Sequence, residues 1–427
     1  RVIPVQRKLG LNVQLREQAS AEDVEVGLKY VNNDACFPAI MVVGQLLNKI
    51  RSGEADPDRT SVAITQTGGM CRATNYVALL RKALADAGFP QVPVLAISVQ
   101  GLESNPGFSL TPSLLLPAIQ ALILGDLLQM LTLRVRPYEA EPGATMRRYQ
   151  FWDQVCQEFL QYGGHSAKLG RSIGYRGLIR EIVADFDRLP LRDIPRKPRV
   201  GIVGEILVKF HPDANNHVVD VVEAEDCEAV LPGIVQFFLM PLYSAQFQWE
   251  TLGIGPRSHQ VKKLVLWLIE KFQAPVTAAL AKTGGKFDLP PKMKELAKKA
   301  DGVISIGTRA GEGWLLTAEM VELIEIGAPN IICAQPFACL PNHVVGKGMF
   351  AELRRRHPEA NIVSVDYDPG ASQTNQLNRI KLMVATAHKR HEARDSIADA
   401  DRIAVRDQSV APISPADLWE EAGSLTT

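Results

Sequence analysis

Asn330-Ile331-Ile332-Cys333-Ala334-Gln335-Pro336-Phe337-Ala338-Cys339-Leu340-Pro341-Asn342-His343 is the stretch whose reading decides the fold. Its apolar run, 331–334, reads as the end of a buried parallel strand. The chain breaks at Pro336 into a loop that carries a second thiol, and a helical pattern starts near Val344. Open parallel sheets place their ligands in the crevice beyond the carboxyl ends of the strands. A cysteine at such a turn is therefore better placed to hold something than one inside a helix. Two further cysteines share the setting. Cys36, in Asn33-Asp34-Ala35-Cys36-Phe37-Pro38, precedes the apolar helix pattern 40–50. Cys71, in Thr65-Gln66-Thr67-Gly68-Gly69-Met70-Cys71-Arg72, follows a short strand at 61–64 and opens a helix.

Working outward, strands and helices alternate on both sides of a central break. The capping box Ser20-Ala21-Glu22-Asp23 opens a helix through Tyr30. Residues 2–13 read as a strand remnant, 92–98 as a strand, and 112–133 as a long apolar helix. From Arg134 to Lys197 the pattern is helical and punctuated by Pro142-Gly143 and Gly163-Gly164. A second alternating run follows, with strands expected at 200–203, 227–231, 302–307, 330–334 and 362–366. The expected class is α/β with parallel sheets and right-handed crossovers. The expected domains are 1–133, a helical connector 134–198, a second α/β domain 199–388 and a polar, extended tail 389–427.

At 427 residues the chain is too long for one ordinary core, which agrees with two domains. A formal net charge of zero removes the electrostatic case for nucleic acid or an anionic membrane as main partner. The longest apolar run contains Pro117 and Asp126 and falls short of the roughly 18 residues of a spanning helix. The start at Arg1-Val2-Ile3-Pro4 shows no export signal and suggests a processed chain or a piece of a longer one. Six dispersed cysteines are unlike a secreted disulfide framework, so a cytoplasmic protein with thiols free for metal is expected.

Cys36, Cys71 and Cys339 together point to an iron–sulfur centre. Cysteine thiolates hold such clusters, and backbone N–H groups at helix starts and Gly-rich turns stabilise the negative charge. The alternative is that each thiol merely packs, because free cysteine is often buried. No CxxC occurs to decide it by spacing. Cys333 in the strand and Cys227 at the head of another are either extra ligands or core, and Cys156 in the connector reads as packing. Gly307-Thr308-Arg309-Ala310-Gly311-Glu312-Gly313 ahead of a helix offers N–H groups to an anion such as a CoA phosphate. It matches neither a Walker A nor a dinucleotide fingerprint, and a tight turn with Glu312 as cap explains it equally. Glu205, after a strand, reads as an acid/base or a cap. His343 reads as a ligand or proton shuttle, or as a neighbour of a helix cap. Asp366-Tyr367-Asp368-Pro369-Gly370 is a functional loop or a plain turn.

Seven stretches carry a resemblance. They are 33–39, 66–76, Arg136-Pro137-Tyr138-Glu139, Gly201-Ile202-Val203-Gly204-Glu205, 311–319, Gln335 to His343 and 366–370. They resemble the dehydratase-like region of long fused proteins that are similar to 2-hydroxyacyl-CoA dehydratases and their activases. The resemblance covers about residues 20–390, and the three cysteine motifs are its most specific part. It implies two Rossmann-like, flavodoxin-like domains with a 4Fe–4S cluster, or in one branch a double-cubane cluster, at their junction. Carried over, Cys36, Cys71 and Cys339 become the ligands, with Cys333 and Cys227 the candidates if more are needed. It also implies an ATP-dependent iron–sulfur activase as partner, a CoA-thioester or other small-molecule substrate, and a homodimer. The chain departs from the fused pattern in lacking the ATPase half: it has no phosphate-binding loop and no activase cluster motif. The expected function is therefore acceptance of a low-potential electron and its transfer to a substrate in a reductive dehydration or related reduction. The alternatives are a non-catalytic interaction domain of an activase system, and a plain anion- or CoA-binding domain.

Overall fold

The computed structural model describes residues 12–408 apart from 16, 17, 33, 68, 70, 99–102, 104, 106, 107, 109 and 110. In chain order its elements begin with α1 Ala21–Tyr30, α2 Phe37–Arg51, β1 Val62–Thr65, α3 Tyr76–Asp86 and β2 Val94–Ile97. Next come α4 Pro112–Val135, α5 Ala144–Gln161, the two-rung ladder β3 His165–Ser166 and β4 Arg171–Ser172, and α6 Tyr175–Asp187. The chain continues with β5 Arg199–Gly204, α7 Ile206–Phe210, α8 Val218–Ala224, β6 Glu228–Val230, α9 Val235–Leu252, α10 Pro256–Leu280 and α11 Met293–Ala300. It ends with α12 Gly313–Glu325, β7 Asn330–Pro336, α13 Leu340–Val345, α14 Phe350–Arg356, β8 Asn361–Tyr367 and α15 Gln373–Gln408.

This is a mixed α/β chain with parallel sheets. Strands β1 and β2 pair in parallel from Val62–Val94 to Thr65–Ile97. The larger sheet has the order β6-β5-β7-β8, all parallel. Counted within that sheet the order is 2-1-3-4, so the crossover direction reverses between β5 and β7. Such a switch point leaves a crevice at the carboxyl ends of the two strands. Strand β7 is buried along all its length, as an interior parallel strand must be.

Sequence signals explain the local structure near that crevice. Ser20 and Asp23 form the reciprocal cap of α1, with Asp23 N–H to Ser20 Oγ at 3.2 Å and Ser20 N–H to Asp23 Oδ2 at 2.8 Å. Helices α1 and α2 touch through glycines: a Cβ on Gly44 would stand 1.9 Å from the Asp23 carbonyl oxygen. Cys36, Ile40, Val77 and Leu80 then form one apolar core with Val62 and Ala96 of the small sheet.

The helices of the segment expected to be a connector join the largest core, together with α4. Leu124 and Leu128 of α4, Trp152 of α5 and Phe186 of α6 pack with Leu239, Val276, Met293 and Trp314 from the second half. Helix and flanking turn from Pro112 to Tyr138 are long and apolar enough to cross a membrane by length and composition, with mean hydropathy 1.8. The sequence expectation that no stretch reaches that length is corrected here. Much of this helix is packed against the helical core, and its Asp126 caps α9 through the N–H groups of Ile234 and Val235 at 2.9 Å each.

Three element expectations are corrected. Residues 302–307 form turns, not a strand: Ile304 and Ile306 pack onto the helical core, and Ile304 also packs against the core under the larger sheet without pairing into it. Residues 72–75 form a 3-10 turn before α3. The polar tail is helical through Gln408, while 409–427 and the remnant at 2–11 lie outside the described residues. Residues through Val384 form one compact unit; from Ala385 the chain is a second unit, helical as far as Gln408.

Candidate functional site

Three cysteines occupy N-cap positions at the carboxyl side of the strands. Cys36 precedes α2, Cys71 precedes the turn Arg72–Asn75, and Cys339 precedes α13. Pro38 and Pro341 sit in the first turns of α2 and α13, where a missing N–H costs nothing. The N–H groups that open a helix lack partners within it and favour negative charge at the cap. Cys36 and Cys339 share one buried core, although 71 and 339 come from different sheets. Cys36 Sγ lies 3.5 Å from the hydroxyl of Tyr76, the residue that opens α3. The charge on Cys36 acts on both Cys71 and Cys339, so the three thiols share one electrostatic neighbourhood.

Two buried carboxylates act on the same thiols. Glu205, directly after β5, caps α7 with Oε2 accepting the Val208 N–H at 2.9 Å. Glu312 accepts the Ile206 N–H at 3.0 Å and the Asn342 side-chain N–H at 3.3 Å. Burial, then the charge of Glu312, pushes the Glu205 carboxyl up to about 8. Burial also raises Glu312. Burial, with these carboxylates adding to it, lifts Cys71 to about 11 and raises Cys36 and Cys339 as well. Arg72 offsets only part of this at Cys36, so burial and the carboxylates favour neutral thiols and favour a proton held on the Glu205–Glu312 pair.

The same edge concentrates buried acceptors without partners. They are Gln66 Oε1 and Thr67 Oγ1 after β1, Gln335 Oε1 in β7, and Asn342 Oδ1 and His343 Nδ1 in α13. Buried polar atoms are normally paired, so such a concentration marks a place where chemistry rather than packing sets the residue types.

The remaining expected site residues fall elsewhere or take other roles. His343 is half-buried and donates its backbone N–H to Cys339 O at 3.1 Å. Cys333 pairs beside Val203 and Ser364 and packs with Leu316, Phe350 and Leu353, a different core from that of Cys36 and Cys339. Cys227 precedes Glu228, which pairs with Arg199 at the amino end of β5, so the parallel ladder keeps it at the opposite edge of the sheet. Gly307, Gly311 and Gly313 do not follow a strand. Gly311 and Gly313 turn at φ +59° and +53°, and a Cβ on Gly313 would stand 2.5 Å from Thr308 O. The loop folds on itself and delivers Glu312 to the crevice. Gly68 and Met70 of the Cys71 motif, and Asn33 of the Cys36 motif, lie outside the described residues.

Comparisons with family models, with curated proteins and with solved structures find no match. Among the described residues, no set of three or more His, Cys, Asp or Glu side chains closes as a single metal ion requires. Sulfurs that ligate separate irons of a cluster stand further apart than sulfurs sharing one ion. Three thiols at three N-caps fit a cluster in donor type, and cationic iron would replace their protons.

Tyr76, Gln335 and Asn342 were not singled out by sequence, and Glu312 was read only as a cap. The available signal was weak: Tyr76 lies one turn past Cys71, and Glu312 stands between two glycines.

Proposed function

We propose that this chain is an iron–sulfur protein of the 2-hydroxyacyl-CoA dehydratase type, working in the cytoplasm with an ATP-dependent iron–sulfur activase. The observation that carries the reading is that Cys36, Cys71 and Cys339, from three distant segments, each stand at a helix or turn start, with the charge of Cys36 bearing on both of the others. The 2-1-3-4 order of the larger parallel sheet supports a Rossmann-like second half, with Cys339 following its strand β7.

When bound, the cluster supplies a low-potential electron and an iron site open to a hydroxyl or thioester oxygen. The protein's own groups do the rest. Cys36, Cys71 and Cys339 hold the cluster, and their N-cap positions favour its negative charge. Glu205, protonated at neutral pH beside Glu312, donates a proton to a departing hydroxyl. Burial of Tyr76 and both carboxylates keeps water from competing.

The test is anaerobic reconstitution of the full chain with iron and sulfide. Equal iron and acid-labile sulfide, with absorption bleached by reductant, is the expected result. Cys36→Ser, Cys71→Ser and Cys339→Ser should each lower iron content, and Cys156→Ser should not. No bound iron in the wild type, or unchanged iron in all three variants, overturns the reading.

A second reading is a non-catalytic interaction module of the activase system. It draws on the exposed apolar side chains Trp249, Leu252, Ile254, Val261, Leu264 and Trp267 along α9, α10 and their turn. Redox titration with the partner separates the two, since a scaffold takes up no electron.

A further inference from the structure

A cavity of about 120 Å³ lies among α4, α9, α10 and α12 and shares no residue with the thiol site. Its walls are largely aliphatic, with Ile123, Leu127, Met130, Val276, Leu296 and Leu323. The charged side chains that reach it already have partners. Asp126 caps α9, and both oxygens of Glu319 bind Lys209 Nζ at 3.0 and 3.1 Å. Glu322 pairs with Lys299 at 2.5 Å, and Asp288 pairs with Arg199.

Gln236 is different. It lines the same cavity from the first turn of α9, is 6% exposed, and its Oε1 is buried without a partner. An unpaired amide oxygen against an aliphatic wall is costly, and a donor that enters the cavity, water or ligand, removes that cost. Charge in the occupant is disfavoured, because the wall charges are paired and the rest of the lining is apolar. Size follows from comparison: a cavity of about 150 Å³ accepts benzene, so this one accepts about five or six heavy atoms.

We propose that this cavity is a binding site for a small neutral aliphatic molecule whose N–H or O–H group donates to Gln236 Oε1. The site is independent of the iron–sulfur reading, since it uses none of the thiols and neither Glu205 nor Glu312.

The experiment uses the full chain labelled with ¹³C at methionine methyl groups. Met130, assigned with Met130→Leu, reports from the cavity wall, and butyramide is the probe. The expected result is a saturable shift of the Met130 methyl in the wild type. Binding should be at least tenfold weaker in Gln236→Leu, and n-butylammonium should give no saturable shift. Gln236→Leu removes an unpaired buried amide at nearly constant volume, so it should fold; Gln236→Met gives the same readout by a second route. No saturation with butyramide in the wild type overturns the proposal. Equal affinity in both Gln236 variants, or equal binding of n-butylammonium, does so too.

Discussion

Glu312 Oε1 accepts the backbone N–H of Ile206 at 3.0 Å, so its carboxylate lies against the peptide that joins Glu205 to α7. Two acids more than a hundred residues apart in the chain are thus held together at the switch point between β5 and β7. Both are buried, Glu205 8% and Glu312 7% exposed, and ionising both in one apolar crevice is unfavourable. The pair therefore behaves as a store for one proton beside three thiols.

Stability should fall as pH rises, through Glu205. Its carboxyl is pushed from the ordinary 4.5 to about 8, so the folded chain keeps a proton that the unfolded chain releases. That stabilisation is complete below about pH 4.5 and is lost as pH climbs through about 8. Urea unfolding of chelator-treated protein between pH 5 and 9 should show the loss, of roughly 2–4 kcal/mol. Glu205→Gln should flatten the profile by a similar amount. An identical slope in wild type and variant would remove Glu205 as its source.

Gly204→Ala should damage the site from beneath. Gly204 ends β5 at φ +144°, and a Cβ there would stand 2.0 Å from the Ala334 carbonyl oxygen of β7. Backbone cannot yield that much without parting the two strands. A loss of about 3 kcal/mol or more is expected, with Glu205 displaced from its cap. Chemical denaturation measures it, and a change under about 1 kcal/mol would show the contact to be soft.

How much of this was legible in sequence depends on how local the cause is. Strand β7 was readable because an unbroken apolar run ends at a proline, and the thiol turns because proline or glycine marks each one. Residues 302–307 imitate a strand in composition, but Ile306 packs onto the helical core and Ile304 lies between that core and the one under the sheet, contacts with distant residues. The polar helix past His388 carries no apolar stripe to read. Glu312 became a site residue only through Ile206 and Asn342, neither near it in the chain. Cys227 could not be discarded before the register was known: the pairing of Glu228 with Arg199 puts it at the wrong edge.

Thiol labelling should follow exposure. Cys71 is half-buried while Cys36, Cys156, Cys227, Cys333 and Cys339 are buried. Burial also lifts Cys71 to about 11, so its thiolate is scarce at neutral pH. Limited iodoacetamide treatment of chelator-treated protein should label Cys71 first, slowly at pH 7 and many times faster at pH 9. Peptide mass mapping reads the order. Earlier labelling of Cys36 or Cys339 would contradict the buried arrangement at their helix starts.

The amino edge of the larger sheet depends on a single acid. Glu228 is 1% exposed and accepts from Arg196 at 2.8 and 3.1 Å, Arg199 at 3.1 Å, Arg134 at 3.4 Å and the Tyr138 hydroxyl at 2.7 Å. Burial alone would raise its pKa; the Arg196 hydrogen bond and the charges of Arg196, Arg134 and Arg199 outweigh that and hold it below the usual carboxylate range. Because the folded value is depressed, this stabilisation is present above the unfolded value of 4.5 and is lost as pH falls through the folded one. Glu228→Ala would leave Arg199, itself 6% exposed, with only the Ile326 carbonyl and Asp288 as partners. Removing one member of a buried charge network costs about 3–5 kcal/mol, more than any exposed pair in this chain contributes. Glu228→Gln should cost less at neutral pH, because the amide oxygen still accepts from Tyr138 or one arginine. Denaturation midpoints at pH 7 for the two variants test the ordering. If Glu228→Ala and Glu228→Gln lose the same small amount, the arginines are held by packing and not by this carboxylate.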